Sequence, residues 1–145
     1  MLMNLLTPVS ELMTKDLITV NPADKLKVVK LIFDTHNIHH IPVVRYRKIV
    51  GIISKTDLLH YLKGMGNLPY KDPRNEGRLL LTTAEDIMTT GIGKLEPTDR
   101  IDVALDVFRK NIFHALPVVE NDELVGIITT HDIITALADK RLVAE

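Results

Sequence analysis

A glycine-led segment that occurs twice carries the side chains best suited to binding chemistry. Its two copies read Gly51-Ile-Ile-Ser54-Lys-Thr56-Asp57 and Gly126-Ile-Ile-Thr129-Thr-His131-Asp132. The apolar residues predict the end of a buried strand, and the polar residues predict the beginning of a helix. A helix N-terminus presents unpaired amides and a partial positive charge, which suit a phosphate. A hydroxyl at Ser54 or Thr129 can add a hydrogen bond, and an acid three residues later can accept both hydroxyls of a ribose.

The same spacing also has a purely structural interpretation. A hydroxyl at the helix N-cap, followed three residues later by an acid, is a capping-box pattern that satisfies the first amides without a ligand. Such a cap stabilises a helix by about 1 kcal/mol. Binding and capping do not exclude each other, because a site without ligand can rest as a cap. Thr56 and His131, which lie between the hydroxyl and the acid, are further candidates for phosphate contact.

The segment belongs to an internal repeat that organises the whole chain. Residues 10–62 align with residues 85–137 without a gap. The aligned pairs include Met13-Thr14 with Met88-Thr89, Pro42-Val43-Val44 with Pro117-Val118-Val119, and Phe33 with Phe108. We therefore predict one domain at residues 8–62, a linker at 63–82, a second domain at 83–138 and a tail at 139–145.

Each copy predicts the element order β-α-β-β-α. Residues 17–20 and 92–95 are expected to form short strands after a one-turn helix that carries the Met-Thr pair. Asn21-Pro22-Ala23-Asp24 predicts a helix start, and apolar residues follow at helical spacing. Residues 41–44 and 49–54 predict a hairpin around a polar turn, for which Asn121-Asp122 in the second copy has the better turn chemistry. The final helices are expected at residues 55–62 and 130–138.

The size of one copy predicts that the two copies depend on each other. A unit of about 55 residues is near the lower limit for a self-sufficient core. We therefore expect the copies to pack sheet to sheet with pseudo-twofold symmetry. In the linker, Leu79-Leu80-Leu81 is expected to dock onto the core.

These features together resemble the cystathionine-β-synthase (CBS) domain family. The resemblance rests on Leu12-Met13-Thr14 and Ile87-Met88-Thr89, on His-x-x-Pro-Val-Val, and on the hairpin that ends in Gly-Ile-Ile-Ser/Thr-x-x-Asp. It covers nearly the whole chain and implies an α+β (α/β) fold of two tandem CBS domains, often dimerising into a disc. It also implies clefts between the domains that bind AMP, ADP, ATP or S-adenosylmethionine as regulatory ligands, with no obligatory cofactor. CBS pairs usually regulate an attached enzyme or channel, so an unknown, separate target protein is expected here.

The resemblance also assigns roles to individual residues. Asp57 and Asp132 match the ribose-binding acid of the family, and Ser54 and Thr129 match its hydroxyl position. The family builds its adenine slot from the first strand and from the residues that precede Pro-Val-Val. The matching positions are Ile18, Thr19, His40, Ile41 and Pro42 in the first copy, and Gly93, Lys94, Ala115, Leu116 and Pro117 in the second. Lys94 would either obstruct adenine or neutralise a phosphate, so the two sites need not be equivalent.

Composition and missing motifs argue against other classes of function. The 145 residues carry a net charge of −1, so no global field attracts nucleic acid or an anionic membrane. There is no cysteine, which excludes disulfides and thiolate metal sites. No G-x-S-x-G, Walker A or H-E-x-x-H motif occurs, and we predict that the protein is not an enzyme. The start of the chain does not read as a signal peptide, and no apolar run approaches the roughly 20 residues of a membrane span, so we expect a cytoplasmic protein.

The histidine cluster His36, His39 and His40 is a weak candidate for a metal site. His36 and His40 would share a helix face only if the preceding helix extended that far. Of the cluster, only His39 recurs in the second copy, as His114. A polar junction between helix and strand is therefore favoured, and we predict no metal ion.

Two functions remain from these observations. The first is a stand-alone regulatory module that binds an adenosine nucleotide in the cleft between its domains, changes their relative tilt and signals to a partner. A ligand can do so only through different affinities for the two arrangements. The second is a structural or dimerising adaptor whose clefts bind no ligand. A homodimer is expected from the family in either case.

Overall fold

A computed structural model of the protein describes residues 4–63 and 73–139. Its helices are α1 (Leu26–Thr35), α2 (Lys55–Lys63), α3 (Pro73–Leu81), α4 (Ala84–Ile87), α5 (Ile101–Phe108) and α6 (Thr130–Ala138). Its strands are β1 (His40–Arg45), β2 (Lys48–Ser54), β3 (Ala115–Glu120) and β4 (Glu123–Thr129). The predicted mixture of helices and strands, repeated once along the chain, is confirmed. The predictions for residues 64–72 of the linker and 140–145 of the tail lie outside the described residues.

Each repeat contains one antiparallel hairpin, β1–β2 or β3–β4, as the sequence predicts. The two hairpin turns share a backbone conformation but differ in chemistry. Tyr46 and Arg47 have φ angles of 51° and 65°, and Asn121 and Asp122 have φ angles of 53° and 65°. Positive φ at both central residues is the type I′ pattern, which matches the twist of the strands. Asn and Asp tolerate this region better than Tyr and Arg do, so the first turn carries more backbone strain.

A glycine in each hairpin receives a methionine from the other repeat. The strand register shifts beside this glycine, between Val43 and Val44 in the first hairpin, which marks a β-bulge. A Cβ atom on Gly51 would lie 2.7 Å from Met88 Cγ, and one on Gly126 would lie 2.9 Å from Met13 Cγ. Both distances are shorter than side-chain packing tolerates, so the approach of each methionine depends on the missing side chain.

The compact units of the structure do not coincide with the repeats of the sequence. The first-repeat unit comprises Ile18–Gly91, and the second-repeat unit comprises Met1–Leu17 together with Ile92–Glu145. The start of each repeat therefore packs with the body of the other repeat. The predicted domain boundaries were drawn from the sequence repeat, whereas the compact units are defined by packing. The two divisions therefore differ in where they assign the first residues of each repeat.

The two starts, residues 4–17 and 83–91, are called the exchanged segments below. Backbone hydrogen bonds hold each of them to the body of the other repeat. The Val9 N–H donates to the Asp99 carbonyl at 2.7 Å, and the Ala84 N–H donates to the Asp24 carbonyl at 2.8 Å. Further along, the same segments add a single antiparallel bridge to the outer edge of each hairpin, Thr14 to Ile127 and Thr89 to Ile52. These contacts place the two Met-Thr pairs beside the strands that lead into α6 and α2.

Each unit has its own hydrophobic core. The first-repeat core consists of Val20, Leu26, Val29, Phe33, Ile41, Val43, Ile53, Leu58, Leu62 and Ala84. The second-repeat core consists of Val9, Leu12, Leu95, Ile101, Ala104, Phe108, Leu116, Val118, Ile128, Ile133 and Ala136. Ala84 in the first list and Val9 and Leu12 in the second come from the exchanged segments. Each core is therefore completed by side chains from the other repeat.

The first strand predicted for each repeat is wrong in its extent. In place of strands at residues 17–20 and 92–95, Val20 and Leu95 each form one isolated parallel bridge, to Val43 and Val118. The Met-Thr pairs likewise follow a one-turn helix and are not part of it, since a 3₁₀ helix covers Val9–Glu11 in the first repeat and α4 ends at Ile87 in the second. Among the described residues, Leu17–Thr19 and Ile92–Lys94 make no backbone hydrogen bond to the hairpins, so pairing is confined to Val20 and Leu95.

The predicted helix start is also displaced. The helix α1 begins at Leu26, with Lys25 as an N-cap that makes no side-chain hydrogen bond. Asp24 is occupied elsewhere, because its carboxylate accepts the Asn21 N–H at 2.8 Å and closes a turn before the helix. In the second repeat Asp99 does the same with the Glu96 N–H, at 2.7 Å. The residues taken for a helix cap therefore form a separate turn.

Part of the predicted linker is helical. The helix α3 lies against α1, and Leu79 packs on the first-repeat core as expected. Leu80 and Leu81 stay 54 % and 78 % exposed, so the expected docking holds only for Leu79. Among the described residues, no helix is both long and apolar enough to cross a membrane.

The close approach of methionine to glycine predicts the effect of adding one methyl group. Gly51→Ala and Gly126→Ala should each lower the free energy of unfolding by about 1–3 kcal/mol, because the methionine must move. The matched control is Gly77→Ala in α3, where an added Cβ meets nothing within 4 Å. That control should raise stability by about 0.5–1 kcal/mol. Urea unfolding measures all three, and equal stabilities for Gly51→Ala and Gly77→Ala would contradict the packing described.

The strained first turn predicts a stabilising substitution. Tyr46 is 91 % exposed, so Tyr46→Asn should remove little packing while placing a suitable residue at positive φ. We expect a gain of about 0.5–1 kcal/mol in the free energy of unfolding, part of the cost of holding tyrosine in the left-handed region. Asn121→Tyr in the second turn is the reciprocal control and should lose a similar amount. A loss of stability with Tyr46→Asn would indicate that the tyrosine makes a contact that compensates for its backbone.

Candidate functional site

The two glycine-led segments fold as predicted, with a strand that ends and a helix that begins at the hydroxyl residue. In the first repeat the Asp57 N–H donates to Ser54 Oγ at 2.9 Å, and the Ser54 N–H donates to Asp57 Oδ2 at 3.3 Å. In the second repeat the Asp132 N–H donates to Thr129 Oγ1 at 3.1 Å, and the Thr129 N–H donates to Asp132 Oδ2 at 2.9 Å. Both segments thus rest as reciprocal capping boxes.

Fewer helix amides remain available than the sequence suggests. The Lys55 N–H donates to the His39 carbonyl at 2.8 Å, and the Thr130 N–H donates to the His114 carbonyl at 3.0 Å. With the third amide of each helix held by the cap, the second amide is left, that of Thr56 or His131. Among the described residues, this amide makes no backbone hydrogen bond, so an incoming anion meets one available amide in addition to side chains. The side chains of Thr56 and His131 are exposed and flank this amide.

The register of the hairpin brings the predicted first-copy residues to one end of the sheet. His40 pairs with Ser54, and Ile41 pairs with Ile53. The Val20 N–H donates to the Pro42 carbonyl at 3.1 Å, which sets the preceding Ile18 and Thr19 beside the same strand. Ile18 and Thr19 lie two strands from Ser54, or about 10 Å at normal strand spacing.

This edge offers unused backbone groups. In the first copy, the N–H and C=O groups of Ile18 and Thr19 make no hydrogen bond to other backbone groups within residues 4–63 and 73–139. Gly93 and Lys94 occupy the same place in the second copy, ahead of the Leu95 N–H bond to the Pro117 carbonyl at 2.9 Å. Thr19 and Lys94 are exposed. Such groups could read the polar edge of a planar base.

Other predicted slot residues are committed to the cores. The side chains of Ile41 and Leu116 are 0 % and 1 % exposed, and each belongs to the core of its unit. Pro42, Ala115 and Pro117 are also buried. The structure therefore favours a packing role for these five, and their assignment as ligand contacts stays a prediction.

One site residue was missed by the sequence analysis. The Thr14 hydroxyl donates to Asp132 Oδ1 at 3.3 Å, although the two residues are separated by most of the chain. The repeated Met-Thr pair was a usable signal. Its position could not be foreseen, because the exchange of segments between repeats is not visible in the pattern.

A third capping box shows that the pattern alone does not require a ligand. Thr83 and Asp86 form a related box at the start of α4, where the Thr83 N–H donates to Asp86 Oδ2 at 2.9 Å and the Thr83 hydroxyl donates to the same oxygen at 3.0 Å. That backbone hydrogen bond, followed by one from the Thr83 hydroxyl, holds the pKa of Asp86 below its usual value. No glycine-led strand precedes this box, so it is a natural control for the other two.

The histidine cluster does not lie on one helical face. The helix α1 ends at Thr35, and His36 caps it in an extended conformation with φ −125° and ψ 141°. The His36 ring lies 3.3 Å from the Ile32 carbonyl, so it faces its own helix end. Within the part of the chain that the structure describes, no three His, Cys, Asp or Glu side chains are arranged to hold a metal ion.

Comparison with known families agrees with this geometry. A family model described as the CBS domain matches residues 9–64 and again residues 84–139. The chain belongs to the CBS-domain family. Both capping boxes that follow a glycine-led strand fall inside the matched ranges, and each CBS match begins in an exchanged segment.

Curated relatives share the CBS repeats within longer chains. The chain is 34 % identical over 135 residues to an uncharacterized protein of Methanocaldococcus jannaschii, covering 91 % of this chain and 44 % of that one. It is 31 % identical over 122 residues to the inosine-5′-monophosphate dehydrogenase of Thermoplasma acidophilum, covering 83 % of this chain and 22 % of the enzyme. The chain thus spans less than half the length of either relative. The aligned part includes most of both CBS repeats, so this similarity carries no evidence for dehydrogenase activity.

Solved CBS structures match the whole fold. One is a CBS domain pair in complex with 5′-methylthioadenosine and S-adenosyl-L-methionine, with a TM-score of 0.75 and 26 % identity, covering 93 % of this chain and 98 % of that one. Another is the CBS domain of a membrane protein from Sphaerobacter thermophilus, with a TM-score of 0.74 and 25 % identity, covering 97 % and 90 %. The first of these binds adenosine-type small molecules.

The capping role of the two hydroxyls can be measured without any ligand. Ser54→Ala and Thr129→Ala should each lower the free energy of unfolding by about 0.5–2 kcal/mol, because one helix amide loses its acceptor. Ser54→Thr and Thr129→Ser keep a hydroxyl and should stay near the original stability. Unchanged stability in both alanine variants would mean that helix capping does not explain the hydroxyls at these two positions. It would strengthen the case for their role in binding.

Proposed function

We propose that the protein is a non-catalytic regulatory module that binds an adenosine-type ligand at the glycine-led segments and signals its occupancy to a separate partner protein. The candidate ligands are AMP, ADP, ATP, S-adenosylmethionine and 5′-methylthioadenosine. The single observation that carries the proposal is the placement of a hydroxyl and an acid at a helix start, two strands away from a backbone edge that the hairpin leaves unpaired. The ligands of the related CBS domain pair support the choice of an adenosine compound.

The chemistry of the ligand maps onto three parts of this arrangement. The carboxylate of Asp57 or Asp132 accepts hydrogen bonds from the two ribose hydroxyls. These hydroxyls either replace the capping N–H as donors to the carboxylate or donate to it together with that N–H. The free amide of Thr56 or His131, together with the hydroxyl at Ser54 or Thr129, faces a phosphate or another polar 5′ group. The edge at Ile18-Thr19 or Gly93-Lys94 faces adenine. A carboxylate that already accepts a charge-assisted hydrogen bond is preorganised for this exchange.

A structural adaptor that binds no ligand is the second candidate. The Thr83–Asp86 pair favours it, because there too an acid accepts the N-cap N–H, although no glycine-led segment is present. Under this alternative Ser54, Asp57, Thr129 and Asp132 only stabilise α2 and α6. The two candidates differ in one measurable property, the affinity for adenosine compounds.

Thermal unfolding in the presence of each of the five compounds tests the proposal. A ligand present at 100 times its dissociation constant should add about 2.7 kcal/mol and raise the melting temperature by several degrees. Asp57→Asn and Asp132→Asn should reduce or abolish the rise, because an amide offers one acceptor oxygen where ribose needs two. The substitutions keep an oxygen for the capping N–H, so the unliganded protein should remain folded.

Asp86→Asn is the matched control for these variants. It changes a capping acid outside the glycine-led segments and should leave the ligand-induced rise unchanged. The absence of any rise with all five compounds would reject the proposed function and support the adaptor. A full rise that survives in the double variant Asp57→Asn/Asp132→Asn would place the ligand elsewhere on the molecule.

A further inference from the structure

The two candidate acids are held differently. Asp132 accepts hydrogen bonds on both oxygens, from the Thr129 N–H at 2.9 Å on Oδ2 and from the Thr14 hydroxyl at 3.3 Å on Oδ1. Asp57 accepts the Ser54 N–H at 3.3 Å on Oδ2. Among the described residues no hydroxyl donates to the Asp57 carboxylate, although Thr89 is the counterpart of Thr14 in the repeat.

The backbone around these two threonines is closely matched, so the difference lies in the side chains. The Thr14 N–H and carbonyl are bonded to Ile127 at 2.8 and 3.0 Å. Thr89 makes the same two bonds with Ile52, also at 2.8 and 3.0 Å. Each threonine also follows the methionine that packs on the bulge glycine. The position of Thr14 is therefore fixed without help from its hydroxyl, and that hydroxyl can be removed with little disturbance.

The Thr14 hydroxyl occupies the oxygen that a ribose would need. A carboxylate that receives two neighbouring hydroxyls uses both oxygens. Among the described residues both oxygens of Asp132 already have a donor, whereas at Asp57 only Oδ2 has one. Resting on the proposed function, we propose that Thr14 competes with the ribose for Asp132 and makes the two sites unequal. The site at Asp57 then fills first, and the site at Asp132 fills at higher ligand concentration. Thr14 is thus a residue that sets the affinity of one site.

Isothermal titration with 5′-methylthioadenosine and with AMP tests this inference in variants that retain one site each. In an Asp57→Asn background, adding Thr14→Val should lower the dissociation constant of the Asp132 site by about three- to tenfold, the range of one hydrogen bond. Thr14→Ser keeps the hydroxyl and should not change it. Lys94 is present in every member of this series, so its effect on the second site is held constant.

The first-repeat unit provides the matched control. In an Asp132→Asn background, adding Thr89→Val should leave the dissociation constant of the Asp57 site within twofold, since Thr89 makes no bond to that acid. Melting curves of the unliganded variants verify that each is folded. An unchanged or larger dissociation constant with Thr14→Val would overturn the inference and would identify Thr14 as neutral or as a support for the carboxylate. Absence of binding in the parent protein would reject the proposed function itself, which distinguishes the two failures.

Discussion

The contact between a methionine and a glycine of the opposite repeat is the constraint on which the rest of the structure depends. Met88 reaches Gly51 and Met13 reaches Gly126 at distances that leave no space for a Cβ atom. This contact brings a Met-Thr segment to the outer edge of each hairpin, where the threonine adds its bridge. The same segment carries Val9 and Leu12, or Ala84, into a core that the other repeat supplies. Sheet edge, core and candidate site are therefore assembled by one exchange.

The site inherits its properties from this assembly. The glycine that contacts the methionine lies three residues before the last residue of its strand, Ser54 or Thr129. The packing contact and the helix start are therefore close together in the chain. The bulge beside the glycine sets the register, and the register brings Ser54 opposite His40, on the strand that separates Ser54 from the edge at Thr19. A change in the position of a Met-Thr segment would consequently change the position of the residues at the helix start. By the same contact, a ligand bound at Asp57 or Asp132 could change the position of the Met-Thr segment, which is distant in the sequence.

Much of this could be predicted from the sequence because local patterns dominate it. The hairpins follow from β-branched runs around polar turns, and α2 and α6 begin at the hydroxyl residues that the capping pattern indicates. The errors arose where a side chain that suits a helix cap bonds to a different backbone group in the structure. Asp24 and Asp99 have the chemistry of helix caps, yet their carboxylates close a turn before the helix, and their carbonyls accept amides from the exchanged segments. The bond from Thr14 to Asp132 depends on the exchange itself, which no spacing within one repeat encodes.

The exchange of leading segments has a consequence for how such a chain could have arisen. A protein with one repeat could complete its sheet and core in this manner only by receiving the leading segment of a second copy. Its folding would then depend on concentration, as in a domain-swapped dimer. Duplication and fusion place both segments in one polypeptide, where the effective concentration is set by the connection between them. The joined chain is freed from that dependence, and its two halves can then diverge, as Thr14, which bonds to the adjacent acid, and Thr89, which does not, have done.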